Sequence, residues 1–257
     1  MPRHTRCRIY SWGSALAAAL LAGLTSPPAE ARCQDGPKPG VDWSGCSKAQ
    51  LLLSSQDLSG AVFAKALLTG GDFSRSKLSG AKLNEAEVSR ARFEGADLSG
   101  SDFVKAVGWR ANFTGANLTR ANFSSADMSR ALFNGAAIAG ATFSKSEMNR
   151  ADFSGADLSG VDLSKAELAR VVFAGAKLSG ANLSFANLSR AQLGGLDLSG
   201  VNLTGAYLYL SQLGGADLSR ATGLTQAQLD NACGRVDTKL PAGLSTAKAW
   251  PCPSEDD

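Results

Sequence analysis

The chain has 257 residues, 44% of them hydrophobic and 7% aromatic, with 28 glycines and a formal charge of +3 at pH 7. A nearly neutral balance gives no electrostatic case for binding nucleic acid or for an acidic imitation of it. The one histidine, His4, stands in a segment read below as removed on export, so histidine-based nucleophilic or metal chemistry is excluded from what remains.

Arg3, Arg6 and Arg8 precede an apolar run from Ala15 to Leu24. That run is shorter than the roughly 20 residues a membrane-spanning helix needs. Pro27 and Pro28 follow, and then Ala29-Glu30-Ala31, a small-x-small site. The pattern predicts a secretory signal peptide over residues 1–31 and a periplasmic or secreted product with no integral membrane segment after cleavage. Arg32 before Cys33 rules out a lipid-attachment site. Cleavage removes three Arg and one Glu and leaves 23 − 22 = +1.

Without Cys7, four cysteines remain, and an even number suits an oxidising compartment. Cys33 and Cys46 lie before a long repeat region, Cys233 and Cys252 after it. Of the three possible pairings, Cys33–Cys46 and Cys233–Cys252 are expected, because a rod would hold the two pairs apart. Residues 32–50 form an N-terminal cap, in which Gly40-Val41-Asp42-Trp43 supplies an apolar lid beside Cys46.

Residues 51–220 are (220 − 50)/5 = 34 consecutive pentapeptides without insertion or deletion. The third residue is large and apolar in 33 of the 34, with Gly108 the exception, and the first is Ala in 23. Two inward positions two residues apart imply a minimal strand. The three polar positions carry the chain around a corner. A helix of 3.6 residues per turn cannot hold a five-residue stripe on one face.

Arg90, Arg110, Arg130, Arg150, Arg170 and Arg190 recur every twenty residues, and Phe fills alternate centres from Phe93 to Phe153. A four-sided coil of twenty residues explains both patterns. Two opposite sides then carry stacked Phe and the other two carry aliphatic ladders. At about 4.8 Å between stacked strands the rod is roughly 40 Å long.

Modules such as ADFSG and ADLSG resemble the pentapeptide-repeat family, whose pattern is A(D/N)LXX. The resemblance implies an all-β fold, a right-handed quadrilateral β-helix. Residues 221–257 read as a C-terminal cap, similar to the ends of exported family members. Within it Thr225 and Gln228 form a capping box that opens a short helix running to about Ala232, with Gly234 as its stop.

The outer surface is where individuality lies. Gly108 in AVGWR predicts a void unless Val107 or Trp109 turns inward through a local bulge or the coil narrows there. Tyr207 and Tyr209, with Leu210 beside them, are expected to pack under the C-terminal segment. In the arginine ladder, stacked neighbours repel, and Glu87, Asp127, Glu147 and Glu167, each three residues before an Arg, are expected to answer that repulsion. As a possible interaction face the six arginines stand with Trp109, Tyr207 and Tyr209.

The carboxylates, serines and glycines are periodic and spread over a convex rod, which argues against a catalytic, cofactor-binding or metal site. The chain reads as an exported, non-enzymatic scaffold with a protein partner, and homodimerisation stays open. The resemblance also offers a second role, the nucleic-acid mimicry by which some family members protect DNA gyrase. That role needs an acidic rod in the cytoplasm. Residues 51–220 carry 17 Lys and Arg against 15 Asp and Glu, a charge of +2. A third reading is attachment to an anionic envelope polymer through the arginines.

Overall fold

The computed structural model describes residues 32–247 and Trp250. The expected signal peptide and Cys252 lie outside the described residues. From Asp42 onward, second-position residues pair in parallel with the residue twenty further on: Asp42 with Val62, Ser47 with Leu67, Leu52 with Asp72, Asp57 with Lys77. Four such columns five residues apart are the four sides of a quadrilateral β-helix. From Asp42 to Thr222 there are 180 residues, or nine turns of twenty.

A typical module meets its backbone hydrogen bonds in three directions. The third-position N–H donates to the next coil (Phe63 to the Lys82 carbonyl, 2.7 Å), and the second-position N–H donates to the coil before (Val62 to the Val41 carbonyl, 2.8 Å). The first-position N–H reaches back around the corner (Ala61 to the Leu58 carbonyl, 3.0 Å). Strands this short therefore still satisfy their backbone, as a packed core requires.

First and third positions line the core. The two phenylalanine ladders run on opposite sides as expected. Phe93, Phe113 and Phe133 stack at centroid spacings of 5.0 Å, and Phe103 and Phe123 at 4.6 Å. Across the axis the ladders meet edge to face, as Phe113 and Phe123 do at 5.7 Å and 86°. Both are favourable ring geometries. Among the buried first-position serines, Ser146 Oγ bonds Phe143 O at 2.6 Å and Ser211 Oγ bonds Leu188 O at 2.8 Å, while Ser101 Oγ is buried without a partner among the described residues. Leu196 stands where most modules have Ala, and the Lys177–Asp197 pairing is missing from an otherwise unbroken series.

Gly108 leaves no void, contrary to the expectation. A Cβ there would fall 2.4 Å from Met128 Sδ and 3.1 Å from a Val88 methyl. The flexible thioether one coil further on fills the space. Val107 stays outside at 39% exposure, and its pairings with Glu87 and Asp127 keep the register without a bulge.

Both ends differ from their expected outlines. The coil begins near Val41, ten residues before Leu51. Val41 and Trp43 of VDWSG and Cys46 of CSKAQ fill inward positions and are buried. Trp43 is too large and Lys48 too polar to look like repeat centres, yet Lys48 Nζ folds over the Trp43 ring at 4.5 Å and seals the first coil. The disulfide Cys33–Cys46 and the Arg32–Asp42 ion pair at 2.7 Å tie residues 32–40 to this end.

At the far end, α1 is Gln226–Leu229, shorter than expected, with the capping box from Thr225 and Gln228 present. Its C-cap is Asp230, not Gly234. Gly234 serves a different purpose, because the Trp250 ring lies 2.3 Å from where its Cβ would be. Gln228 Nε2 donates to the carbonyls of Leu203 and Ala206, both at 2.8 Å, while Cys233 and Lys239 continue the ladder above Gln212 and Asp217. The open edge that would invite strand addition is thereby covered. Cys233 is disulfide-bonded.

Candidate interaction face

Every fifth residue sits in the left-handed region, from Leu210 at φ +54° to Gly215 at +73°. The chain fills the four corners unequally. Two carry almost only glycine, as at Gly95, Gly115, Gly135 and Gly155, or at Gly80, Gly100, Gly160 and Gly180. A third carries Lys65, Lys105, Lys145 and Lys165 among Glu85, Ser125 and Phe185, and ends at Gly205. The fourth is the arginine column from Arg90 to Arg190, with φ between +56° and +61°. The lysine column was missed in the sequence, although its residues obey the same spacing of twenty or forty.

One side of the rod lies between the lysine and arginine corners. Its second positions carry Glu87, Val107, Asp127, Glu147, Glu167, Asn187 and Tyr207, in that order along the rod. The carboxylates do not reach their arginines: among the described residues no ion pair involves any of the six. Instead, two of them bond their own turn and one bonds the next coil. Glu87 Oε1 accepts the Ser89 N–H at 2.9 Å, Asp127 Oδ1 accepts the Ser129 N–H at 3.0 Å, and Glu167 Oε2 accepts from Asn187 Nδ2 at 2.7 Å. The same two-residue bond recurs around the rod, for example from the Ser74 N–H to Asp72 and from the Thr114 N–H to Asn112, both at 2.9 Å. This is why Asp and Asn suit the second position: their side chains close the corner.

The aromatic residues gather on the same side. Trp109 lies beneath two guanidinium groups, Arg110 at 4.2 Å and Arg90 at 5.3 Å from its ring centroid. So Arg110, whose level has Val107 in place of an acid, and Arg90 one coil before it are engaged by cation–π contact. Tyr207 and Tyr209 stack at 6.1 Å but remain 54% and 43% exposed, so they do not pack under the C-terminal segment. The described residues 221–247 cross the end of the rod and leave its outward positions open. Phe185, 59% exposed, covers Gly205 of the next coil, where a Cβ would lie 2.7 Å from the ring. The structure thus brings Arg90–Arg190, Trp109, Tyr207 and Tyr209 onto one side and its edge, while Cys33, Cys46 and Cys233 stay at the ends.

Among the described residues no cluster of His, Cys, Asp or Glu is arranged to hold a metal, and no helix is long and apolar enough to cross a membrane.

The description of pentapeptide repeats in eight copies matches residues 57–95, 91–130, 186–222 and 197–233, and that of a pentapeptide repeat region matches 126–203. No curated protein matches the chain. Among solved structures, HetL from the cyanobacterium Nostoc sp. strain PCC 7120, described as involved in heterocyst differentiation regulation, is 30% identical, with 80% of this chain and 91% of that one covered and a TM-score of 0.61. QnrB1, a plasmid-mediated fluoroquinolone resistance protein, covers the same shares at 23% identity and a TM-score of 0.37. With repeat models spanning residues 57–233 and a quadrilateral coil throughout, the chain belongs to the pentapeptide-repeat family.

Proposed function

We propose that this chain is an exported, non-enzymatic scaffold that docks a protein through the side between its lysine and arginine corners. The observation that carries the reading is the combination on that side of Arg130, Arg150 and Arg170, without ion pairs among the described residues, and of Tyr207 and Tyr209 left exposed. Tyr and Arg are the types that dominate interface energetics. Export is inferred from the 1–31 pattern and fits the disulfides at Cys33–Cys46 and Cys233. A recess of about 70 Å³ beside Arg235 and Trp250 is smaller than a ligand pocket needs. The rod charge of +2 speaks against acidic nucleic-acid mimicry.

Two measurements test the reading. N-terminal sequencing of the protein recovered from the extracytoplasmic fraction should begin at Arg32, and an intact N-terminus in the cytoplasm overturns export. Native co-purification should recover a partner with the wild type and lose it with Arg130→Ser, Arg150→Ser and Arg170→Ser combined. Equal recovery by both removes the arginine side from the account.

A further inference from the structure

In the three coils from 126 to 170 the docking side carries three carboxylates and three arginines, with Lys145 and Lys165 at its other corner. Asp127, Glu147 and Glu167 are bridged one above another. Arg130, Arg150 and Arg170 stand in the same three coils. Like charges directly opposite on neighbouring strands are destabilising, and each column repeats that cost at every coil, about 4.8 Å apart. Neither column relieves the other within the chain, because no ion pair joins them and two of the three carboxylates are tied to Ser129 and Asn187. Both would be relieved by a column of opposite sign with the same pitch. An identical rod supplies that pitch coil for coil.

We infer that the occupant of this side is a second copy of the same chain, lying parallel and in register. The inference rests on the proposed docking side and names its partner. A two-fold axis along the rods keeps each coil at its own level while exchanging left and right on the side. Asp127, Glu147 and Glu167 then face Arg130, Arg150 and Arg170 of the second copy, and each pair forms twice. A two-fold axis across the rods, giving an antiparallel pair, would set acid on acid and arginine on arginine. The charges therefore select the parallel arrangement. Between the columns the fourth positions meet across the axis. Ser129, Asn149 and Ala169 there are small or slim enough for close approach. Arg90 and Arg110 are engaged by Trp109, which concentrates the contact on the coils from 126 to 170. Such pairs are individually weak and screened by salt, so the association is modest and salt-sensitive.

The test is sedimentation of the full exported chain across a concentration series, at about 0.1 M and about 1 M salt. The expected result is a monomer–dimer equilibrium weakened by salt. Arg130→Glu, Arg150→Glu and Arg170→Glu combined should raise the dissociation constant by about a hundredfold or more, and so should Asp127→Arg, Glu147→Arg and Glu167→Arg combined. A one-to-one mixture of the two variants should dimerise again, which also controls for folding, since two unfolded chains would not complement each other. A cysteine at the axis, Ala169→Cys, should form an intermolecular disulfide, whereas Ser99→Cys on the opposite side should not. A wild type that stays monomeric at every concentration overturns the inference. So does a dimer indifferent to both charge reversals, or one cross-linked through Ser99 and not Ala169. A monomer that still captures another protein, or an anionic polymer, through its arginines overturns the second copy while leaving that side as the docking site.

Discussion

At the glycine corners and the charged corners the backbone does the same thing. Gly155 and Gly160 have φ of +69° and +66°, and Arg150 and Lys165 have +59° and +58°. For an L-residue that conformation costs roughly 1 kcal/mol, and for glycine very little. The glycine corners are therefore what the fold asks for. The charged corners hold side chains at a backbone disadvantage in coil after coil, and the arginines gain no ion pair among the described residues in return. The difference separates what builds the rod from what the rod presents.

The largest expected effect sets the scale for that separation and involves neither kind of corner. Phe133→Ala removes a ring stacked on Phe113 and Phe153 and should lower stability by about 3–5 kcal/mol in denaturant unfolding. A loss under 1 kcal/mol would mean that the ladders do not carry the fold.

Next come substitutions that the repeat pattern and the packing judge differently. Gly108→Leu restores the motif but drives a side chain into Met128, so it should destabilise by about 1–3 kcal/mol. A stabilised variant would show that the motif, and not the neighbouring coil, decides the core. Gly155→Val places a β-branched residue at φ +69° and should also lose about 1–3 kcal/mol despite open space around its Cβ. Arg150→Gly should move the other way, gaining up to about 1 kcal/mol. Thermal melts of these two variants give the comparison its sign.

The smallest effect concerns acid. Asp57, Asp157, Asp197 and Asp217 occupy one column between the two glycine corners, and each has its pKa lowered by the hydroxyl and N–H of the serine two residues on. Asp217, which Lys239 also contacts, lies at about 2. A depressed folded-state pKa contributes stability that is present above the unfolded value, about 4, and lost as pH falls through the folded value. Unfolding midpoints should therefore hold down to about pH 4 and decline toward about pH 2. Asp217→Asn should flatten the last part of that decline, and an unchanged profile would show that the serine bonds do not persist in solution.

The five-residue and twenty-residue rhythms were legible because packing imposes them: every inward side chain must match the one a coil away, as Phe93 matches Phe113. Matches between unlike residues were harder to read. Met128 compensates Gly108 at a spacing of twenty, a signal present in the sequence but hidden when each module is compared with the motif instead of with its neighbour above. The first coil was concealed because end coils obey a different rule, and Trp43 and Lys48 close the core where further repeats would have covered it. Outward contacts were least legible. Glu87 and Arg90 have the spacing of a pair, but the carboxylate bonds the Ser89 N–H instead, because a local backbone donor is nearer and costs less side-chain freedom.

The central claim is that the arginine corner serves the surface and not the fold. Combining Arg130→Gly, Arg150→Gly and Arg170→Gly and measuring folding stability and self-association on the same sample tests it most directly. The account predicts a melting temperature that holds or rises together with loss of association. A clear drop in melting temperature with association intact would contradict it and return the column to the structural frame.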